Sequence, residues 1–278
     1  MAGDYVHGYD AAAGIRLADQ ANALAALLHD GTEYRPGDLV LEAGCGVGSQ
    51  TEILAARSPA TAFTSIDINE ASLAEARRHC SHLANVTFRQ ADITELPFDD
   101  AAYDHAFLCF VLEHITDPLR ALREVTRTLR PGGSITVIEG DHGSVLMHPE
   151  NTAAHDAISC QVALQREAGG DALIGRRLYP LMAATGLVEV RVEPRQVYAD
   201  DGHRDLADAF TRRTFTAMIE GVRSAALSRR LIDAARFDEG IEALRRTTQA
   251  DGTFAYTFFK GVGRRPAASL QTGPLVHD

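Results

Sequence analysis

From residue 38 to residue 140 short apolar runs and amphipathic stretches take turns, and few architectures accept that order. The segments "DLVLEAG" (38–44), "AFTSIDI" (62–68), "VTFRQAD" (86–92), "YDHAFLCFVL" (103–112) and "SITVIEG" (134–140) have strand length and strand composition. Between them, residues 49–57, 70–83 and 117–129 carry apolar side chains at helical spacing, the last closed by Pro131-Gly132-Gly133. Strands joined by helical crossovers lie parallel in one sheet with helices on both faces. The expected fold is therefore doubly wound α/β.

Outside that stretch the rhythm loosens. Residues 14–30 form an amphipathic helix stopped by Gly31, after an N-terminal lid segment, and together they make a first unit over residues 1–34. The main domain runs over 35–198, with a helical lid at 145–172 built on a helix at 148–167, a further helix at 176–185 and the strand "LVEVRVEP". Residues 199–251 are too long for a hairpin and read as a helical cap insert, 252–263 as the final strand "TFAYTFFKGV", and 264–278 as a tail without expected order.

Composition excludes several function classes. With 27 Lys and Arg against 38 Asp and Glu the formal charge is −11, a surface that repels a phosphate backbone, so nucleic acid is not an expected partner. There is no apolar run of about 18 residues, hence no expected membrane span. "MAGDYVHGYD" is no secretory signal, and Cys45, Cys80, Cys109 and Cys160 show no metal-ligand spacing. The expectation is a cytoplasmic monomer or homodimer with free thiols and no metal.

The link between the first strand and first helix is "VLEAGCGVGSQT", in which Gly44, Gly46 and Gly48 let the main chain turn tightly and approach a ligand. Acidic residues stand at three successive strand ends. Glu42 would repel a pyrophosphate but can hold an ammonium, Asp67 lies where a carboxylate accepts from ribose hydroxyls, and Asp92 can accept from an adenine amino group. An amine, a ribose diol and an adenine without phosphate describe S-adenosylmethionine. An NAD-dependent oxidoreductase would carry GxGxxG, whereas this chain has GxGxG.

On these residues the chain resembles the class I S-adenosylmethionine-dependent methyltransferases: "LEAGCGVGSQT" is similar to the family's glycine motif, "SIDI" to its ribose motif and "QADITELPF" to its adenine motif. "FVLEHITDPLRALREVTRTLRPGG" resembles the segment leading into the fifth strand. The resemblance implies a Rossmann-like, seven-stranded, mostly parallel sheet with an antiparallel last strand. It implies that Glu42, Gly44, Gly46 and Gly48 hold the methionine end, Asp67 and Ile68 the ribose, Asp92 and Ile93 the adenine, with Cys109 and Phe110 near the sulfonium. Gln20 and Arg16, four apart on the first helix, can reach the donor's carboxylate. The product would be S-adenosylhomocysteine; a non-catalytic donor-binding protein is the other reading.

Methyl transfer from a sulfonium asks mainly for positioning and exclusion of water, with a base where the acceptor's nucleophile carries a proton. Glu139, Asp141 and His142 cluster past the fifth strand, His142 being the first choice for that base; Glu113 and His114 are weaker candidates. Tyr5, His7 and Tyr9 can line the acceptor pocket as part of a lid, and Arg176 and Tyr179 suit an acidic acceptor. Phe210, Phe215 and Met218, with Arg213 beside them, form a helical stripe read as core. The segments "YVHGYD", "EGDHGS" and "TFAYTFFKG" resemble bacterial methyltransferases of antibiotic and alkaloid pathways, including indole C3-methyltransferases. The acceptor is thus a small molecule of secondary metabolism, methylated on indole C3, a hydroxyl or a carboxyl group.

Overall fold

The computed structural model describes Ala21 and residues 24–267. The alternation of the sequence folds as β1 (Leu39–Ala43), α1 (Ser49–Arg57), β2 (Ala62–Asp67), α2 (Glu70–His79), β3 (Val86–Gln90), β4 (Tyr103–Cys109), α3 (Pro118–Thr128) and β5 (Leu129–Gly140). Helix boundaries follow their local chemistry. Asn69 caps α2 by accepting from Ser72 N, and Asp117 caps α3 by accepting from Arg120 N with Pro118 in the first turn, where its missing N–H is no loss. α3 then buries Ala121, Leu122 and Val125 along one face.

The later elements are β6 (Leu146–His148), α4 (Thr152–Glu167), α5 (Leu178–Ala183), β7 (Val188–Ala199), a π-helix (Ala207–Thr216), α6 (Ala217–Gly221), α7 (Arg223–Ser228), α8 (Ala234–Arg246) and β8 (Thr253–Arg264). The sheet order is β3-β2-β1-β4-β5-β8-β6, with β7 also paired to β8. Strands β1 to β5 are mutually parallel where they pair, and β8 runs antiparallel to β5, β6 and β7. The sheet therefore has eight strands, not seven. The addition is β6, which takes up the edge of β8 at Leu146↔Ala255 after β5 leaves it at Gly140↔Phe258. A run of three residues is too short to show a period of two in sequence.

Alternate residues of the strands divide the core into two. Val40, Phe107 and Ile138 face one cluster with Leu24, Leu28, Leu54, α4 and the aromatic residues of the cap, while Leu41, Leu108, Ile135 and Val137 face the other with α3 and α5. Phe210 and Phe215 are in the first cluster and Met218 packs against it, as the stripe implied. The helical insert expected over 199–251 is divided. Thr214 and Thr216 hydroxyls donate to carbonyls five residues back, at Ala209 and Thr211, within the wide π turn, and Asp233 starts α8 afresh by capping Arg236 N.

One buried cation ties the last strand to the segment just before β1. Lys260 on β8, 3% exposed, donates from Nζ to the carbonyls of Leu28 (3.2 Å) and Asp30 and to Thr32 Oγ1 (2.6 Å), closing the C-terminal end of the helical residues 24–28. Among the described residues no helix is long and apolar enough to cross a membrane.

The cap is held by close helix contact. A Cβ on Gly240 of α8 would lie 2.4 Å from the Ala153 carbonyl oxygen of α4, whereas one on Gly221 would meet nothing within 4 Å. Gly240→Ala is expected to cost about 1–3 kcal/mol, seen as a lower urea midpoint at unchanged slope, and Gly221→Ala to cost nothing measurable.

Candidate active site

The crevice at the carboxyl ends of β1 and β2 is built by the glycine turn. Gly44 N and Cys45 N both donate to Ile66 O, at 2.8 and 2.9 Å, drawing the chain across the end of β2. Gly44, Gly46 and Gly48 have φ of +77°, +53° and +87°, a region where a Cβ is strained. Their roles differ. A Cβ on Gly44 would sit 2.5 Å from Val111 Cγ2, and one on Gly48 3.0 Å from Cys80 Sγ, so these two allow packed elements to close. Nothing lies within 4 Å of a Cβ on Gly46, which opens on empty space.

Asp67 stands beside that space. Its Oδ2 accepts from Gly46 N and its Oδ1 from Asn69 N, both at 2.8 Å, and each oxygen keeps a further lone pair. Burial pushes its pKa up while those amides oppose the shift. Next to it Ile68 is 50% exposed, an apolar surface left uncovered at the crevice. Asp92 is exposed just past β3, whose Gln90 is in register with Asp67; its Oδ1 accepts from Thr94 N (2.8 Å) and Thr94 Oγ1 (2.7 Å), and Ile93 is half-buried beside it. A donor cradle made of an open left-handed glycine, a carboxylate and an uncovered aliphatic face fits an adenosyl group.

Glu42 departs from the sequence reading. It is buried beneath the turn, and both Thr51 and Ser65 hydroxyls donate to its Oε2 at 2.6 Å, tying β1 to α1 and β2. Burial, with a smaller contribution from Asp67, pushes its pKa up to about 7 against those two bonds. Cys109 ends β4 with its thiol pushed far up by burial and by the carboxylates of Glu139, Glu42 and Glu113, so it is no nucleophile. Phe110 follows at φ +59°, its N donating to Ile138 O (2.9 Å) and its ring 5.3 Å from that of Phe258. A phenylalanine in the left-handed region is strain held in place at the end of a strand.

The cluster past β5 separates by environment. Glu139 is fully buried and its Oε1 accepts from Val111 N (3.0 Å) and Leu112 N (2.7 Å), while Oε2 is buried without a partner. Burial and the nearby Glu113 hold its pKa well above the usual carboxylate range. It pins the turn after β4 and is not an exposed base. Asp141, 2% exposed, accepts from Gly143 N (2.9 Å) and takes a two-pronged ion pair from Arg176, Nε to Oδ2 at 2.6 Å and Nη2 to Oδ1 at 2.8 Å. That pair occupies both residues. Asp141 is therefore an anchor rather than a base, and the Arg176 guanidinium is directed at it rather than at an acceptor. Tyr179 is 58% exposed on α5, which packs on α3, β7 and β8, and it does not line the cavity described below.

Among the described residues His142 is bonded through one ring nitrogen only. Its Nδ1 lies 3.2 Å from Ala172 O and 3.2 Å from the Tyr256 hydroxyl. A carbonyl only accepts, so Nδ1 carries the proton and Nε2 the lone pair. Nε2 is buried with no partner. Burial lowers the pKa from the ordinary 6.5, keeping the ring neutral at neutral pH. Beside it runs a cavity of about 400 Å³, walled by His142 and Val145 on one side, by Ile158, Val162 and Arg166 of α4 on the other, and by Leu173.

Two features escaped the sequence reading. Tyr256 was visible only as one residue of an alternating strand; the register of β8 brings its hydroxyl to His142. Gln165 of α4 donates from Nε2 to Glu113 O (3.0 Å) and Oε2 (3.3 Å), and Gln161 donates to Gln165 Oε1 (3.1 Å), a buried amide relay from the lid to the turn after β4. Two glutamines four apart on a helix were its only trace. His114 stays beside Glu113, its Nε2 at 3.4 Å from Oε1, and Arg213 pairs with Asp208 at 3.0 Å. Tyr5, His7, Tyr9, Arg16 and Gln20 lie outside the described residues. Among the described residues no group of three His, Cys, Asp or Glu is placed to hold a metal ion.

Residues 41–137 match the methyltransferase domain family. The chain is 32% identical over 221 residues to an uncharacterized 37.1 kDa transposon protein of Streptomyces fradiae, covering 79% of this chain and 64% of that one. It is 35% identical over 106 residues to demethylmenaquinone methyltransferase of Staphylococcus aureus, covering 38% of this chain and 44% of that one. It thus spans less than two thirds of the length of either relative. In fold it is similar to geranyl diphosphate C-methyltransferase from Streptomyces coelicolor, solved with Mg²⁺, geranyl-S-thiolodiphosphate and S-adenosylhomocysteine, with a TM-score of 0.51 at 18% identity over 88% of this chain and 75% of that one.

The glycines make the cradle testable. Gly46→Ala is expected to cost only about 1–2 kcal/mol of stability from the left-handed backbone but to weaken S-adenosylhomocysteine binding at least about tenfold in calorimetry. Gly44→Ala, which drives a Cβ into Val111, is expected to lose stability first.

Proposed function

We infer that this chain, which carries a methyltransferase domain over residues 41–137, is an S-adenosylmethionine-dependent methyltransferase acting on a small-molecule acceptor. The observation that carries the reading is the open, left-handed Gly46 with Asp67 bonded to its amide and Ile68 uncovered alongside. When bound, S-adenosylmethionine supplies a methyl carbon activated by the adjoining sulfonium. Asp67 takes the ribose hydroxyls with Ile68 beside the ribose, Ile93 flanks the adenine, and Asp92 accepts from its amino group. Gly44 and Gly48 fix the turn that admits the methionine end, and Glu42 underlies it. Cys109 and Phe110 stand where β4 ends, on the acceptor's side.

His142 is the base. Its unpartnered Nε2 suits an acceptor that must lose a proton to become nucleophilic, which an indole attacking through C3 or a phenol does. A carboxylic acid is already ionised at neutral pH and needs no base, so the histidine favours the first two. In the step the acceptor forms its bond to the methyl carbon as the carbon–sulfur bond breaks, its proton passes to Nε2, and S-adenosylhomocysteine leaves. Tyr256 and the Ala172 carbonyl orient the ring; Glu139 and Asp141 act as positioning residues. A role in secondary metabolism rests on the resemblance of "EGDHGS" and "TFAYTFFKG" to natural-product enzymes, and a cytoplasmic site on the four free thiols.

Incubation with methyl-labelled donor and a panel of indoles and phenols is expected to give a labelled product; transfer to none of them would remove the reading. In that assay His142→Gln should lower kcat by about 10²–10⁴. The acid limb of the wild-type profile should have its midpoint below 6.5, since the folded pKa is lowered from that value, and should vanish in the variant. Asp67→Ala should weaken donor binding by about 1.5–3 kcal/mol.

Glu42 adds a pH signature. Its pKa of about 7 lies above the ordinary 4.5, so the folded protein holds a proton that the unfolded chain has lost. That stabilising contribution is full below 4.5 and is lost as pH rises through about 7. A cationic donor above it favours the carboxylate, so binding near pH 6 should release protons, read as a buffer-dependent binding enthalpy that Glu42→Gln abolishes.

A further inference from the structure

The cavity beside His142 has a polar end that the reaction does not use. Val145, Ile158, Val162 and Leu173 make its walls apolar, and Arg166, exposed in the last turn of α4, stands at its rim. Among the described residues Arg166 makes no ion pair: the acid next to it, Glu167, is taken by Arg229. The rim's other basic group, His155, is already bonded to Glu150 at 2.6 Å. A guanidinium facing a partly enclosed apolar cavity attracts an anion more strongly than one in open water, because the local dielectric is lower. At the inner end stands the His142 ring, whose Nε2 is buried without a partner.

From this juxtaposition we propose that the acceptor is an aromatic carboxylate, its anionic group held by Arg166 and its ring between α4 and the segment 142–145, with its N–H or O–H toward His142. The proposal rests on the methyltransferase reading for what becomes of the ligand, but not for its binding. The cavity of about 400 Å³ is of a size that accommodates a two-ring ligand with a short acidic arm. A chain of charge −11 repels anions at long range, so recognition of an acid depends on a local cation.

The chain contains no tryptophan, so indole emission reports a bound ligand without background from that residue. Indole-3-acetate and its neutral isostere indole-3-acetamide are the probes. The wild type is expected to bind the acetate at least about tenfold more tightly, the span of a charge-assisted bond. Arg166→Ala should erase the difference and Arg166→Lys should keep part of it. S-adenosylhomocysteine binding by calorimetry should be unchanged in both variants, which checks that the lid has folded. Equal affinity for the two probes in the wild type, binding of neither, or an undiminished preference in Arg166→Ala each overturns the proposal. Failure of the methyltransferase reading shows separately, as loss of S-adenosylhomocysteine binding by the wild type or absence of labelled product.

Discussion

The placement of β8 between β5 and β7 is the constraint on which the rest of the molecule depends. Its hydrogen bonds on both edges, to Ser134–Gly140 on one side and to Val188–Ala199 on the other, leave an antiparallel strand inside an otherwise parallel sheet. Register then decides chemistry, because a shift of one residue would exchange the two faces. With Gly140 opposite Phe258, Tyr256 passes over Gly140, where any Cβ would lie 2.3 Å from its hydroxyl, and that hydroxyl reaches His142. Further along the strand Lys260 reaches the carbonyls that end the first helical segment. One strand thus fixes the histidine and the entrance to the sheet together.

Burial sorts the polar groups at the sheet's carboxyl edge into different tasks. Glu42, Glu139 and Asp141 are each nearly inaccessible and each is bonded to its own chain: to two hydroxyls, to two amides, and to an arginine. A carboxylate so placed holds elements in position, because removing its partners would strand a charge away from water. Asp67 and Asp92 are less enclosed and stand at the strand ends. His142 combines burial with one nitrogen unbonded, an arrangement that keeps it neutral and leaves it an acceptor. Sequence proximity grouped Glu139, Asp141 and His142 as one constellation; the structure gives Glu139 to the amides of Val111 and Leu112, Asp141 to Arg176 and His142 to the Tyr256 hydroxyl.

The lid and cap are where helical patterning was least informative. The stretch 199–251 read as one helical insert, yet it holds a π-helix and four α-helices, the first of them the three-residue Arg204–Leu206. The π turn buries Phe210 and Phe215 together, although at about 3.6 residues per turn a spacing of five would place them on different faces. The relay from Gln161 through Gln165 to Glu113 joins this lid to the turn after β4, and side chains 52 residues apart meet there. No local rule of spacing encodes such a meeting.

What the sequence by itself determined is everything that depends on near neighbours along the chain. Strand–helix alternation, the caps at Asn69 and Asp117 and the glycines of positive φ are all local, and they suffice for the doubly wound sheet and for the tight turn after β1. Tertiary structure alone decided that the sheet has an eighth strand, that Arg176 is turned to Asp141, that Tyr179 faces outward and that Tyr256 meets His142. The reason is that charge state, accessibility and hydrogen-bond partner belong to pairs of residues distant in sequence, and those pairs exist only once the register of β8 is set.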